Sequence, residues 1–232
     1  MANGQNRNEV TAVLNDSTHT VTIKQKTLYT NTSDVVLNEI YFNDWNHAFS
    51  SKKTPLAESF GDAFKRSLHL AKDKDRGITT ITSFVDANYS GLEWERTPKQ
   101  DLIKVILKKP LEIGETAAIF ISYTVKLPNA KFTTYGFKNK SEYYLTDWYL
   151  TPAVFSNGEW KLYSNVNLDD LYTDVADTKV NITFPKDFFF ASNFETILST
   201  TSLSKKQITL DGKAQKSCTI ILSKKERFTK HV

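Results

Sequence analysis

Residues 142–185 decide the fold, and they read EYYLTDWYLTPAVFSNGEWKLYSNVNLDDLYTDVADTKVNITFP. The first part of this stretch is crowded with aromatic residues, and its end alternates apolar and polar residues up to Pro185. Aromatic and β-branched residues at a period of two, bounded by Asn, Asp, Gly and Pro, are typical of β-strands with one buried face. Between the two parts lies an acidic loop, which carries Asp169, Asp170, Asp174 and Asp177. The stretch therefore predicts strands at 142–150, 160–166 and 179–184.

The same β pattern runs through the rest of the chain. Further strands are predicted at 11–14, 18–30, 35–42, 78–87, 102–107, 115–127, 188–199, 207–210 and 217–223. Asp211-Gly212, between the last two of these, predicts a tight hairpin turn. We therefore expect an all-β fold of antiparallel sheets, arranged as a sandwich or a saddle.

One segment, 54–69, breaks the pattern and predicts a short inserted helix. Thr54 suits the N-cap, and Pro55 suits the first helical position. Apolar side chains then recur at every fourth residue, namely Leu56, Phe60, Phe64 and Leu68. That spacing predicts an apolar stripe that packs the helix onto a sheet.

Size and charge limit the class of protein. A chain of 232 residues can form one all-β domain, so we expect residues 1–232 to be a single domain. The chain has 30 basic and 26 acidic residues without a basic cluster, which argues against binding of nucleic acid. The single cysteine, Cys218, excludes an internal disulfide and a zinc site with several cysteines, and its apolar strand predicts a buried thiol.

The sequence contains no apolar run long enough to span a bilayer. Residues 1–7 are polar and lack the apolar segment of a signal peptide. Either the protein is cytoplasmic or the chain starts after a removed export signal, and the sequence leaves both open.

Within residues 142–186 the order of parts resembles the N-terminal, non-catalytic β-domain of the aminopeptidase N-like zinc metallopeptidases (gluzincins). In that family a Thr-Gln-Trp-Tyr-Pro-like segment is followed by a Gly-Trp turn, an acidic loop and a strand that ends in Pro-Lys. The matching segments here are Thr146-Asp147-Trp148-Tyr149, Gly158-Glu159-Trp160 and residues 180–186. An inserted excursion like the one at 54–69 also occurs in bacterial members of the family.

The resemblance implies that this chain is one domain of a larger protein, a zinc aminopeptidase. The catalytic domain and its zinc ion would lie downstream of residue 232, and that domain and a peptide substrate would be the partners. This chain would then contain no catalytic residue, no metal ligand and no cofactor. The histidines agree, because zinc peptidases of this kind need two of them one helical turn apart with a glutamate between. None of the four has that spacing: His19, His47, His69 and His231.

In the resembled family this domain helps to wall the substrate cavity, and a Gln or Glu on the aromatic strand helps to hold the substrate's free amino group. Asp147 takes the second position of the family's Thr-Gln pair, and Tyr149 lies two residues further on. The resemblance therefore implies Asp147 and Tyr149 as substrate-binding residues of the full-length protein. Strand alternation would place these two on one face, opposite Thr146, Trp148 and Leu150.

Two other functions remain open from the sequence. The chain could be an independent carbohydrate- or surface-binding β-sandwich module with tryptophans as stacking platforms: Trp45, Trp94, Trp148 and Trp160. Exposed tryptophans would favour that function, and buried ones would count against it. The second is hydrolysis by a pair of carboxylates, which the acidic loop supports only weakly because acidic residues between strands are usually solvated turns.

Overall fold

The computed structural model describes residues 6–166 and 171–225. The strands there are β1 (Arg7–Asn15), β2 (Thr20–Thr30), β3 (Leu37–Asn43), β4 (Ile78–Val85), β5 (Trp94–Arg96), β6 (Leu102–Leu111), β7 (Thr116–Lys126), β8 (Gly136–Lys138), β9 (Glu142–Leu145), β10 (Thr151–Pro152), β11 (Val154–Ser156), β12 (Glu159–Lys161), β13 (Ala176–Pro185), β14 (Phe189–Ser192), β15 (Glu195–Thr201), β16 (Lys205–Gln215) and β17 (Ile220–Ser223). The helices are α1 (Pro55–Asp62) and two 3-10 helices, Trp45–Phe49 and Asp73–Asp75. None of these helices is long and apolar enough to cross a membrane. The predicted all-β fold is confirmed.

The largest sheet has seven strands in the order β15-β16-β13-β1-β2-β7-β4. Its neighbours are antiparallel except for β1 and β13, which run parallel with Arg7 opposite Asp177. Exposed and buried residues alternate strictly along β1, and Val10, Ala12 and Leu14 face the core. This sheet therefore has one dry face and one wet face, as its period of two predicts.

Two four-stranded sheets complete the fold, in the orders β10-β3-β6-β5 and β14-β17-β9-β8, and β11 and β12 form a separate hairpin. Buried side chains from all three larger sheets belong to one hydrophobic cluster. Phe42 of β3, for example, packs on Phe84 of β4 with 5.7 Å between ring centroids. The three larger sheets therefore contribute side chains to a common hydrophobic cluster.

The inserted helix begins where predicted but ends seven residues early. Thr54 caps α1, because its Oγ1 accepts the Ala57 N–H at 3.4 Å, and Leu56 and Phe60 are buried as expected. The prediction that Phe64 belongs to the apolar stripe is wrong, since this residue has a left-handed backbone (φ +57°) and is 94% exposed. A left-handed residue just beyond the last turn ends a helix, and turns then return Leu68 to the core.

The acidic loop of the sequence is only partly described. Asp169 and Asp170 lie outside the described residues. Asp177 is not in a loop, because β13 begins at Ala176, and its carboxylate accepts the Ala214 N–H at 3.1 Å. Asp174 precedes β13 in irregular structure.

The predicted hairpin turn at Asp211-Gly212 is wrong. Both residues lie inside β16, where they pair with Lys179 and Thr178 of β13. A Cβ on Gly212 would lie 2.4 Å from the ring of Phe194. Only glycine therefore allows that ring to pack directly on the strand. The real turn connects β15 to β16 at residues 202–204.

Candidate functional site

The strand that was predicted to carry the site residues ends before it reaches them. β9 stops at Leu145, and Asp147 has a left-handed backbone with φ of +52°. Ser217 Oγ accepts the Asp147 N–H at 3.2 Å, and the Cys218 carbonyl accepts the Trp148 indole N–H at 3.1 Å. These bonds hold residues 146–150 as a turn, so the predicted alternation of faces does not apply to them.

A buried polar network fixes the far end of this turn at Leu150. The Tyr123 hydroxyl accepts the Leu150 N–H at 3.0 Å and donates to Gln25 Oε1 at 2.6 Å. Gln25 Nε2 donates to the Leu150 carbonyl at 2.7 Å. Tyr123 and Gln25 lie on β7 and β2, so the large sheet itself clamps the turn.

Beside the turn lies a cleft of about 510 Å³, which we call the Asp147 cleft. Aromatic rings line much of it: Trp45, Phe49, Phe60, Phe132 and Tyr135. Thr146 and Asp147 contribute from the turn, Lys65 from the segment after α1, and Asn165 and Val166 from the stretch before β13. The volume lies within the roughly 300–1,000 Å³ typical of ligand sites.

Asp147 supplies a carboxylate to this partly aromatic cleft. Burial raises the pKa of Asp147, and a hydrogen bond from Ser217 partly offsets that rise. A half-buried carboxylate of this kind is poorly hydrated, so a cation that enters the cleft and pairs with it gains more than it would at an open surface. In chemical terms, such a carboxylate is suited to pairing with a cation, for example an ammonium group.

Tyr149 lies on the other side of the turn, inside the protein. It is 3% exposed, and its ring meets Trp148 edge-on with 5.4 Å between centroids. Burial raises the pKa of its hydroxyl well above the ordinary value. Tyr149 is not among the residues that line the Asp147 cleft, so the two sequence-predicted residues are neighbours in sequence but do not share this cavity.

The 3-10 helix Trp45–Phe49, which brings two rings to the cleft, is anchored by Asp44. The Asp44 carboxylate pairs with Arg96 at 2.8 Å and accepts the Thr79 hydroxyl at 2.7 Å. It also caps the helix, because Oδ1 accepts the His47 N–H at 3.3 Å. Sequence reasoning missed this anchor; its one local signal was an N-cap aspartate before Trp45.

Asp101 anchors the part of the cleft wall that Asn165 forms. Its fully buried carboxylate accepts the Asn165 N–H at 2.7 Å and the Ser164 hydroxyl at 2.5 Å. Burial raises the pKa of Asp101 to about 6, although these two hydrogen bonds act in the opposite direction. Lys99, two residues earlier, donates to the Leu162 carbonyl at 2.7 Å. The turn between β5 and β6 thus fixes the stretch 162–165 in place.

The histidines occupy separate environments. His19 stacks on Phe137 at 3.8 Å, and His47 Nδ1 accepts the Thr79 N–H at 3.2 Å, with its pKa lowered to about 4 by burial. His69 lies beyond α1, and His231 is outside the described residues. Within residues 6–166 and 171–225 no three His, Cys, Asp or Glu side chains come together as a possible metal site.

The tryptophans bear on the alternative of a carbohydrate-binding module. Trp45 and Trp148 are 3% and 1% exposed, and Trp160 packs among Tyr29, Tyr41 and Phe155. Trp94 is more accessible, at 38%. Most of these rings are therefore core or packing residues, which counts against a row of stacking platforms.

Comparison with known proteins finds similar structures but no similar sequences. No family model matches the sequence, and no curated protein sequence matches it significantly. Among solved structures, a two-domain M1 zinc metallopeptidase mutant bound to L-arginine aligns with a TM-score of 0.53 and 14% identity, over 94% of this chain and 41% of that chain. The M1 zinc metallopeptidase from Deinococcus radiodurans aligns with a TM-score of 0.51 and 15% identity over the same shares.

A mutant of an M1 zinc metallopeptidase from Deinococcus radiodurans bound to a Tyr-Ser-Ala substrate gives a TM-score of 0.53 at 14% identity, again over 94% of this chain and 41% of that one. The chain thus spans less than half the length of these enzymes. The resemblance predicted from residues 142–186 is confirmed at the level of the fold: nearly the whole chain has the fold of a part of the M1 zinc metallopeptidases.

Proposed function

We propose that residues 1–232 form the non-catalytic N-terminal domain of a zinc aminopeptidase-like metallopeptidase. In this proposal the domain packs on a downstream catalytic domain that carries the zinc ion, and it contributes one wall of the substrate cavity. The shared fold supports the domain assignment, as does the length of the M1 enzymes, of which the chain covers 41%. The observation that carries the cavity role is the Asp147 carboxylate in an aromatic cleft.

Asp147 would hold the free amino group of a peptide. An ammonium group needs hydrogen-bond acceptors and, once it leaves water, a negative charge. Burial raises the pKa of Asp147 because its charged form is poorly hydrated there, and a bound ammonium would supply the positive charge and hydrogen-bond donors that favour the charged carboxylate. Because the turn is held by Ser217 and Trp148, the carboxylate needs no rearrangement to bind.

Tyr149 enters the proposal through the same turn. Its buried ring packs edge-on against Trp148 and so stabilises the turn. Tyr149 would therefore affect substrate binding indirectly, by holding Asp147 in position. Substrate affinity should therefore fall strongly on loss of the Asp147 charge and only weakly in Tyr149→Phe, which keeps the ring.

The test uses the longer protein of this proposal, with the domain and the catalytic domain in one chain, and aminoacyl-anilide substrates. A hydrogen bond to a charged group contributes about 1.5–3 kcal/mol, so Asp147→Asn should lower kcat/KM by about 10- to 100-fold, mainly through KM. Asp34→Asn, at an exposed loop position, is the matched control and should leave both constants unchanged. An unchanged KM in Asp147→Asn would remove the cavity role.

A second measurement tests whether the 232-residue chain is non-catalytic. The 232-residue chain alone should hydrolyse no aminoacyl-anilide and should hold no stoichiometric zinc by metal analysis. The longer protein should hydrolyse the aminoacyl-anilides and should contain stoichiometric zinc. Turnover by the short chain would overturn its assignment as a non-catalytic domain.

A further inference from the structure

We propose that the aromatic wall of the Asp147 cleft selects the side chain of the substrate's first residue, favouring aromatic and large apolar residues over small or basic ones. This inference rests on the proposed function, because it takes the ligand's ammonium group to be held by Asp147.

The aromatic wall is preformed. Phe49 and Tyr135 pack together with 5.8 Å between centroids, and the Tyr135 hydroxyl donates to Asn46 Oδ1 at 2.9 Å. Trp45 and Phe49 share the 3-10 helix that Asp44 caps. Rings held by packing, and in Tyr135 also by a buried hydrogen bond, resist closing over the empty space, so a ligand ring finds the cavity already open.

Phe60 forms the side of this wall that belongs to α1. It is 7% exposed, and the short helix keeps it there through its neighbour Leu56, which is fully buried. Aromatic pairs prefer offset or edge-on contacts with centroids about 4.5–7 Å apart. A benzyl or indole group that enters the cleft can make such contacts with Phe60, whereas a methyl group cannot reach them.

Charge at the rim adds a second selection. Lys65 lines the same cleft, and its ammonium lies 5.7 Å from the Phe60 ring centroid. With Asp147 engaged by the α-ammonium, a lysine or arginine side chain beside Phe60 would meet a like charge. Basic first residues should therefore bind more weakly than aromatic ones of similar size.

Binding to the 232-residue chain tests this selectivity without any catalysis. The probes are L-phenylalaninamide, L-alaninamide and L-argininamide, which carry the α-ammonium and a neutral amide, with affinity measured by NMR titration. We expect phenylalaninamide to bind at least about 10-fold more tightly than alaninamide, since one methylene in an apolar pocket already changes binding by about 10-fold or more. Equal affinities, or no saturable binding of phenylalaninamide, overturn the inference.

Changes at Phe60 and Lys65 locate the effect. Phe60→Ala should remove most of the preference for phenylalaninamide, and Phe60→Leu serves if the alanine variant does not fold. Phe64→Ala, four residues further on but 94% exposed, is the control and should leave the preference intact. Lys65→Met should raise the affinity for argininamide alone. A preference that survives both changes at Phe60 would refute the role of this wall.

The two proposals can fail separately. If phenylalaninamide binds with the expected dependence on Phe60, but Asp147→Asn leaves hydrolysis by the longer protein unchanged, the selective cleft stands and the cavity role fails. If Asp147→Asn impairs hydrolysis while Phe60→Leu leaves the ratio of kcat/KM for phenylalanyl- and alanyl-anilides unchanged, the cavity role stands and the selectivity is wrong.

Discussion

The hydroxyl of Tyr123 should be one of the most important single groups for the stability of this chain. Tyr123→Phe removes it and leaves two buried partners unmatched, the Leu150 N–H and Gln25 Oε1, which are now bound at 3.0 and 2.6 Å. All three residues are at most 3% exposed, so water cannot replace the lost bonds without opening the core. A buried group that loses its partner costs about 1–3 kcal/mol. Two such groups give an expected loss of about 2–4 kcal/mol in the free energy of unfolding, since partial relaxation makes the sum less than additive.

Urea unfolding followed by circular dichroism measures this loss, and thermal unfolding should show a drop of about 5–15 °C in Tm for a chain of this size. Tyr89→Phe is the matched control, because Tyr89 is 75% exposed and the same atom is lost there. The control should stay within about 0.5 kcal/mol of the wild type. If Tyr123→Phe were as stable as the control, the network would not clamp the Asp147 turn and the argument for a preformed site would lose its basis.

Two further changes probe the walls of the cleft and the backbone near it. Burial raises the pKa of Asp101 to about 6, so this carboxyl contributes stability fully below its unfolded pKa, about 3.9, and that contribution is lost as the pH rises through 6. The difference in unfolding free energy between the wild type and Asp101→Asn should therefore fall by about 3 kcal/mol between pH 3.5 and pH 7. Taking this difference cancels the contribution of His47, which has the opposite sign and is present in both proteins. A difference that does not change with pH would contradict the assignment. Gly136→Ala should cost at least about 3 kcal/mol in urea unfolding, because φ is +113° and the new Cβ would lie 1.9 Å from the Pro128 carbonyl oxygen. Gly91→Ala, which meets nothing within 4 Å, should cost less than about 1 kcal/mol, and equal losses in the two variants would rule out the proposed clash.

Local signals predicted the elements that depend on neighbouring residues. Thr54 and Pro55 mark the start of α1 because a cap and a first-turn proline act within one helical turn. The end of the helix was missed, since Phe64 fits the apolar spacing and nothing local shows that it turns into solvent. The hairpin predicted at Asp211-Gly212 was wrong for the same reason. The glycine is required by contact with the ring of Phe194, which lies seventeen positions before Asp211 in the chain.

The site was predictable only in part. The resemblance directed attention to Asp147, and the structure puts that carboxylate in a cleft. The aromatic lining could not be predicted, because Trp45, Phe60 and Tyr135 come from segments that the sequence gives no reason to bring together. The pair Asp44 and Arg96, 52 positions apart, shows the same limit, since periodicity and spacing carry no information about such distant partners.

The parallel pairing of β1 with β13 has a consequence for how the protein is made. Asn8 bonds to Thr178, 170 positions later, so during synthesis β1 lacks one of its two neighbours until that residue has emerged from the ribosome. At about 5–20 residues per second the wait is on the order of 10–30 s. During translation this open edge can recruit the wrong strand, from the same nascent chain or from another one. Slower elongation before residue 178, or shortage of a chaperone, should therefore lower the yield of native protein more than it would for a sheet built from successive hairpins.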